Sequence, residues 1–338
     1  MHSVAELEAA MATPSEALIE DLRRLDGDLL VLGAAGKMGP TLCQLAQNAL
    51  NAAGTGRRVT AVSRFSSPGS RDALAAHGIQ TLACDLLDDA QIDALPDCEN
   101  VLFMVGTKFG TSGNPHLTWR NNVYVPARVA DRYRASRIVV FSSGNVYPFS
   151  RLAHGGTSEE TAPDPVGEYA QSVLGRERMF EYAAATYGTR VLQYRLNYAI
   201  DLRYGVLHEV ARAVWEGRPV NVQMGAVNVI WQGDANEVAL RALHHAANPP
   251  KILNVTGPET VSVRWLAERF GELLGLPVTL EGTESDTALL SNASQAHELF
   301  GYPRVTLREM MRLTADWVRR GGQSAGKPTH FQERQGKF

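Results

Sequence analysis

The chain has 338 residues, 44% of them apolar, and a formal net charge of −3. That length exceeds one ordinary domain and supports a large core, and no basic stripe with interleaved aromatics offers itself to nucleic acid. No run reaches the roughly eighteen apolar residues of a membrane span, and Glu6 and Glu8 stand where a signal peptide carries positive charge, so a cytoplasmic protein without membrane contact is expected.

Residues 1–27 read as a helical extension in which Val4 to Leu25 forms one or two helical turns, interrupted at Pro14, with Thr13 or Ser15 as caps. A buried strand, Leu29-Leu30-Val31-Leu32, then runs straight into Gly33-Ala34-Ala35-Gly36-Lys37-Met38-Gly39. Gly33 permits a tight turn, Gly36 lets backbone approach a pyrophosphate, and Gly39 lets the next helix pack closely on the strand. The helix N-terminus would face the anion with free N–H groups and the positive end of its dipole. A glycine triplet alone also fits a structural turn, but an apolar helix (Leu42, Leu45, Leu50) and a second strand (Val59 to Val62) follow, which is the context of a dinucleotide cradle.

Cys43, Cys84 and Cys98 are odd in number and lack metal-ligand spacing, so they are expected as core thiols of a reducing compartment, with no metal site. Strand-like runs recur at Thr81–Cys84, Val101–Val105, Ile138–Phe141, Val191–Tyr194 and Ile252–Val255, with helical patterns between most of them. This alternation predicts an α/β fold, a Rossmann-like doubly wound parallel sheet holding the dinucleotide within residues 28–200. From Asp201 the pattern becomes a helix (Val206 to Glu216), a Val-rich segment (Val220 to Ile230), a helix (Asn236 to Ala246), a helix from Ser262 to Leu274 capped by Ser262, a short strand (Val278–Leu280) and a last helix (Leu307 to Arg319). Residues 201–320 are read as a smaller substrate lobe, with the strand near 252–255 returning to the sheet, and the polar stretch 321–338 as an arm or a disordered tail.

The chemistry is concentrated after the fifth strand, where Phe141 runs into Ser142-Ser143-Gly144-Asn145-Val146-Tyr147, and a helix carrying Tyr169 follows a loop with Pro163 and Pro165. The order of glycine turn, Ser-Ser-x-x-Val-Tyr and Tyr-x-x-Ser resembles the extended short-chain dehydrogenase/reductase superfamily, the NAD-dependent epimerase/dehydratase group. The resemblance runs from roughly Asp28 to Val318 and is closest in detail to UDP-glucose 4-epimerase-like members. It implies that Ser143 is the active-site serine and Tyr169 the catalytic tyrosine, a phenol that moves the proton of a substrate hydroxyl while nicotinamide exchanges hydride with the carbon. It further implies cofactor contacts at Gly106, Thr107, Lys108 and Asn122, and at Asp85 and Leu86 beside the adenine. Taken singly, Asn121 and Asn122 could equally cap a helix, and Asp85 could hold a turn. Gly33, Gly36, Lys37, Met38, Gly39, Tyr169 and Asn197 complete the expected cofactor set.

The chain departs from the family pattern Tyr-x-x-x-Lys, because Tyr169-Ala170-Gln171-Ser172 is followed by Val173. An ammonium at that position would share a helix face with the phenol and lower its pKa. Without it, a phenol of pKa about 10 is ionised to about one part in a thousand at pH 7. Tyr169 then acts only as proton donor or hydrogen bonder, or another cation substitutes, or proton transfer is lost. Of five lysines, Lys108 is the one nominated as substitute and third catalytic residue, against the simpler reading that it touches cofactor phosphate. Arg176, seven residues after Tyr169, falls near the same face and is read as a surface charge.

The second strand ends in Ser63-Arg64 where NAD enzymes place a carboxylate, which favours NADP over NAD; the other reading is a solvated Arg64 beside NAD. Val227 stands where nucleotide-sugar epimerases carry an arginine shortly before the aspartate matched by Asp234, which favours a free sugar, sugar acid or similar hydroxy-carbonyl compound over a nucleotide sugar. Asn145, Tyr147, Asn197 and Tyr198 are expected to line the substrate site with Ser143, although Tyr147 and Tyr198 serve equally well as packing aromatics. The expected function is an NAD(P)-dependent oxidoreductase or epimerase acting on a secondary alcohol or carbonyl of a sugar-like small molecule. The alternative is a catalytically degenerate NAD(P)-binding sensor or interaction protein. The resemblance also implies a homodimer, paired through the helices that follow Asn122 and contain Tyr169.

Overall fold

The structure, a computed structural model, describes residues 1–108 and 113–337. Its centre is a parallel sheet of β1 (Leu29–Leu32), β2 (Val59–Ser63), β3 (Gln80–Ala83), β4 (Asn100–Phe103), β5 (Arg137–Ser143), β6 (Arg190–Leu196) and β7 (Lys251–Val255), in the order β3-β2-β1-β4-β5-β6-β7. The apolar runs of β1, β4 and β5 are continuous because helices cover both faces of the sheet, leaving no solvated side to demand alternation. Leu32 is in register with Val62 and with Phe103, and Ser143 with Leu196, which pairs in turn with Val255. The strands therefore end along one edge. The order reverses between β1 and β4, the crevice where open α/β sheets bind ligands.

The helices are α1 (Val4–Met11), α2 (Glu16–Arg24), α3 (Gly39–Ala53), α4 (Ser70–Ala75), α5 (Asp89–Asp93), α6 (Pro115–Trp119), α7 (Val125–Arg132), α8 (Gly167–Tyr187), α9 (Val206–Trp215), α10 (Gln232–Arg241), α11 (Val263–Leu274), α12 (Ser294–Phe300) and α13 (Leu307–Arg319). A π-helical turn, Arg120–Tyr124, joins α6 to α7. The N-terminal extension holds two full helices in place of the one or two turns expected. Ser15, not Thr13, caps the second by accepting the N–H of Leu18. Tertiary burial extends them: Leu7 and Met11 enter the core beyond the sheet, while Leu18 and Leu22 enter the core against β1 and α3.

The helix expected from Asn236 starts four residues earlier, at Gln232, and passes into a 3-10 turn at Ala242–His245. The Val-rich segment divides into short pairings, Val220–Asn221 with Leu280–Glu281, Ala226–Val227 with Val261–Ser262, and Ile230–Trp231 with Ala199–Ile200. The strand expected at Val278–Leu280 thus begins only at Leu280. The polar stretch after α13 is an arm laid on α9 and its surroundings. Ala325 donates its N–H to Arg203, Thr329 donates its hydroxyl to Glu209, Arg334 donates to Thr287, and the Phe331 ring is buried. One aromatic anchor and specific polar partners hold a composition that reads as free chain.

All three cysteines are buried and free. Among the described residues no helix is long and apolar enough to cross a membrane, and no cluster of side chains could hold a metal ion.

Candidate active site

The three glycines of the first loop do separate things. Gly33 has φ +89°, with the Met104 backbone 3.0 Å from where a Cβ would stand. A Cβ on Gly36 would meet only the Gly33 carbonyl at 3.2 Å, so its face opens into a cleft. A Cβ on Gly39 would lie 2.3 Å from the Ala34 carbonyl, so α3 can sit on β1 only as glycine. The cleft, about 270 Å³, is lined by Gly33, Gly36, Ser63, Arg64, Asp85 and Leu86, and is closed on its other side by Gly106 and Thr107. Asp85 also holds its own turn, its carboxylate accepting the Leu87 N–H at 3.1 Å. Ser66 and Ser67 line the cleft beside Arg64. Neither serine is among the residues expected from the sequence, although hydroxyls next to that arginine are a usable signal for a phosphate-bearing ribose.

Lys37, Met38, Lys108 and Asn197 do not line this cleft. They lie in an adjoining cavity of about 190 Å³ with Ser143, Asn145, Tyr169 and Tyr198, and the two spaces meet along the loops 33–38 and 104–108. Ser143 donates to the Asn145 side-chain oxygen at 2.9 Å, accepts the Asn145 N–H at 3.1 Å and shares the cavity wall with Tyr169. Tyr204 and Thr329, neither singled out from sequence, complete the wall. Tyr147 does not line it: its hydroxyl donates to Asn254 at 2.9 Å and its buried ring lies 4.7 Å under the Arg195 guanidinium, so it is a packing aromatic. Asn197 donates to the Asn228 side-chain oxygen at 2.8 Å, and Val227 is buried in the lobe core.

Asn122 is buried at the π-helical turn and accepts the Thr107 N–H at 2.8 Å while donating to the Thr107 carbonyl at 2.9 Å and to Ser172 at 2.9 Å. It thereby ties the loop after β4 to the helix of Tyr169, and it touches the cleft only through Thr107. π-turns inside helices recur at functional sites. Arg176 joins this knot, donating to Asn122 at 3.0 Å and to the Phe141 carbonyl at 2.6 Å. The expectation of a surface charge there is wrong: Arg176 is 5% exposed. Its place on the face of Tyr169 was the signal, outweighed by the general rule that arginines stay in solvent.

Val173 fills the place of the missing lysine with an apolar contact, packed with Val146 and Tyr147 and against Tyr169. Two cations stand near the phenol instead. The Lys108 ammonium is 5.7 Å from the Tyr169 ring centroid, and the Arg176 charge acts on the hydroxyl. Burial pushes the Tyr169 phenol above its ordinary pKa, with the Arg176 charge and the Ser143 hydroxyl opposing. Burial also brings Lys37 and Lys108 down to about 8. Behind Ser143, Ser142 donates to Glu177, whose carboxylate forms a fully buried pair with Arg195 at 2.6 Å.

A doubly wound parallel sheet with a glycine cradle at its switch point, beside a cavity lined by Ser143 and Tyr169, defines a dinucleotide-dependent enzyme of the short-chain dehydrogenase class. A family model described as NAD dependent epimerase/dehydratase family matches residues 29–255, and the chain belongs to that family. Among solved structures it is similar to UDP-glucuronic acid 4-epimerase from Bacillus cereus in complex with NAD (19% identity, 87% of this chain and 99% of that one, TM-score 0.71). It is also similar to UDP-glucose 4-epimerase from Thermus thermophilus in complex with NAD (20%, 86% and 99%, TM-score 0.71) and to MoeE5 in complex with UDP-glucuronic acid and NAD (24%, 87% and 100%, TM-score 0.69). At these identities the likeness is one of fold. No curated protein sequence matches the chain.

Proposed function

We propose that the protein is an NAD(P)-dependent oxidoreductase or epimerase in which Ser143 and Tyr169 handle the oxygen of a secondary alcohol or carbonyl on a sugar, sugar acid or related small molecule. The observation that carries this reading is that Ser143 and Tyr169 line one cavity, beside the glycine-lined cleft. The cleft fits a dinucleotide: Gly36 leaves its face open where a Cβ would intrude, Gly33 and Gly39 allow the turn and the helix contact that shape the cradle, and Arg64, Asp85, Leu86, Gly106 and Thr107 would hold the rest of it. When bound, the dinucleotide supplies a hydride donor or acceptor at its nicotinamide.

The chain's own residues do the remainder. Ser143 holds the substrate oxygen by a hydrogen bond. Tyr169, its pKa raised, is a neutral phenol at neutral pH and gives its proton to that oxygen, so reduction of a carbonyl is the favoured direction. Lys108 and Arg176 take the place of the lysine absent at Val173, holding positive potential on the phenol as its proton leaves. Arg64 with Ser66 and Ser67 favours the 2′-phosphate of NADP. The small cavity and the buried Val227 favour a free compound over the UDP-sugar bound by MoeE5.

Residues 28–200 would carry the cofactor and also most of the cavity wall, to which 201–320 adds Tyr204 and Gly205 and the arm adds Thr329, so the lobe expected to bind the substrate would only help to close its site. A homodimer through α7 and α8 is supported by aromatic side chains in solvent at Tyr124, beside α7, and Tyr182, on α8. Buried free thiols suit a reducing, cytoplasmic setting.

The test is to titrate NADPH and NADH onto the protein and to compare Tyr169→Phe with the parent in reduction of a carbonyl panel. The expected result is tighter NADPH binding, unchanged in the variant, with turnover down by about a hundred- to ten-thousand-fold. Binding of neither nucleotide, or full turnover in Tyr169→Phe, would sink the reading.

A further inference from the structure

Two lysines, Lys37 and Lys108, line the cavity beside Tyr169, and no aspartate or glutamate lines it among the described residues. Lys108 donates to the Thr329 carbonyl at 3.3 Å, and the carboxylates whose charge reaches the two lysines hold other partners as well. Asp201 accepts from the Arg203 backbone at 2.7 Å and from its guanidinium at 3.1 Å, and Glu209 accepts from the backbone and hydroxyl of Thr329.

Lys37 departs from what its position in the glycine loop suggests. Its ammonium does not turn toward the cleft where Gly33 and Gly36 would receive a pyrophosphate. It donates to the Ala199 carbonyl at 3.0 Å and lies 4.1 Å over the Tyr204 ring, and both of those residues belong to the cavity wall. A carbonyl and a ring face are neutral partners. A cation brought out of water into such a place carries a desolvation cost that neutral groups offset only in part and that an anion would offset well.

Resting on the oxidoreductase reading, we infer that the cavity takes a free polyhydroxy monocarboxylate, a small sugar acid or hydroxy acid, and that Lys37 selects its carboxylate. Size favours a compact ligand: the cavity, about 190 Å³, is smaller than the adjoining cleft of about 270 Å³. Charge sets the class: the Lys37 ammonium is protonated at neutral pH and held by a carbonyl and a ring face, so a neutral sugar adds no opposite charge beside it and a carboxylate does. Ser143, Asn145 and Asn197 supply the hydrogen-bonding groups that hydroxyls need.

Calorimetry on the protein saturated with its dinucleotide tests this, with D-glucuronate, D-galacturonate and D-glycerate as probes against D-glucose, D-galactose and glycerol. At least one acid is expected to bind about tenfold or more tightly than its neutral counterpart, with Lys37→Met erasing most of that advantage while dinucleotide affinity stays within about twofold. If every acid binds no better than its neutral counterpart, the inference is wrong; this comparison needs only the parent protein, should the variant fail to fold. If Lys37→Met weakens the dinucleotide as much as the acid, Lys37 serves the cofactor phosphates and the inference is overturned while the oxidoreductase reading stands. A parent protein that binds neither NAD(P) form overturns both.

Discussion

A lysine introduced at Val173 would enter a space already filled by Val146 and Tyr147, with its charge directed into apolar contact. Val173→Lys is therefore expected to lower the melting temperature and, on the proposed reading that Lys108 and Arg176 take the absent lysine's place at Tyr169, to bring no gain in turnover. A large gain would mean instead that the site is vestigial. The pH response divides between groups. Tyr169 donates while protonated, and with its pKa raised the proton-donating form persists through neutral pH and is lost only in strong alkali. Lys37, faced by Asp201, Arg203 and Tyr204, and Lys108, faced by Glu209 and Tyr169, are charged below about 8 and neutral above it. Steady-state kinetics of reduction of an acidic substrate should show KM rising through a midpoint near pH 8 as Lys37 loses its charge, and kcat falling through the same range as Lys108 loses the charge beside Tyr169. A kcat that stays level would deny Lys108 a part in the proton step.

The turn from β1 into α3 is where an element depends on a single missing carbon. Gly39→Ala drives a Cβ against the Ala34 carbonyl, which is backbone and cannot rotate away, so α3 must lift from β1. Overpacking of this kind costs about 1–3 kcal/mol, and the lifted helix also misaims the N–H groups of the cradle. Loss of NAD(P) affinity together with a lowered melting temperature is expected, read by fluorescence titration and calorimetry. This element was legible in the sequence because its determinants are consecutive: four apolar residues, then glycines at fixed spacing. Arg176 and the arm were not, since their partners are remote in sequence. Arg176 is tied to Asn122 across 54 positions and Thr329 to Glu209 across 120, and no local pattern announces such pairings. The lysines fall between these cases. Their presence near the site could be read from the loops that carry them, but the turn of Lys37 toward Tyr204 depends on the chain after β6 folding back over it.

For the molecule as a whole, the sheet is held to α8 by the fully buried pair of Glu177 and Arg195, with Ser142 as a further donor to the carboxylate. Removing one partner leaves a lone charge out of water, and Glu177→Ala is expected to destabilise the fold by about 3–5 kcal/mol in chemical denaturation. Replacing both residues with apolar side chains of similar volume should recover most of that loss. A double replacement no more stable than the single one would mean that packing, not charge, sets the cost. The pair bears on how this sequence can change over time. Either substitution made first passes through a poorly folding intermediate, so Glu177 and Arg195 behave as one heritable unit, retained together or exchanged together, and Ser143 inherits a neighbourhood more resistant to drift than its own chemistry requires.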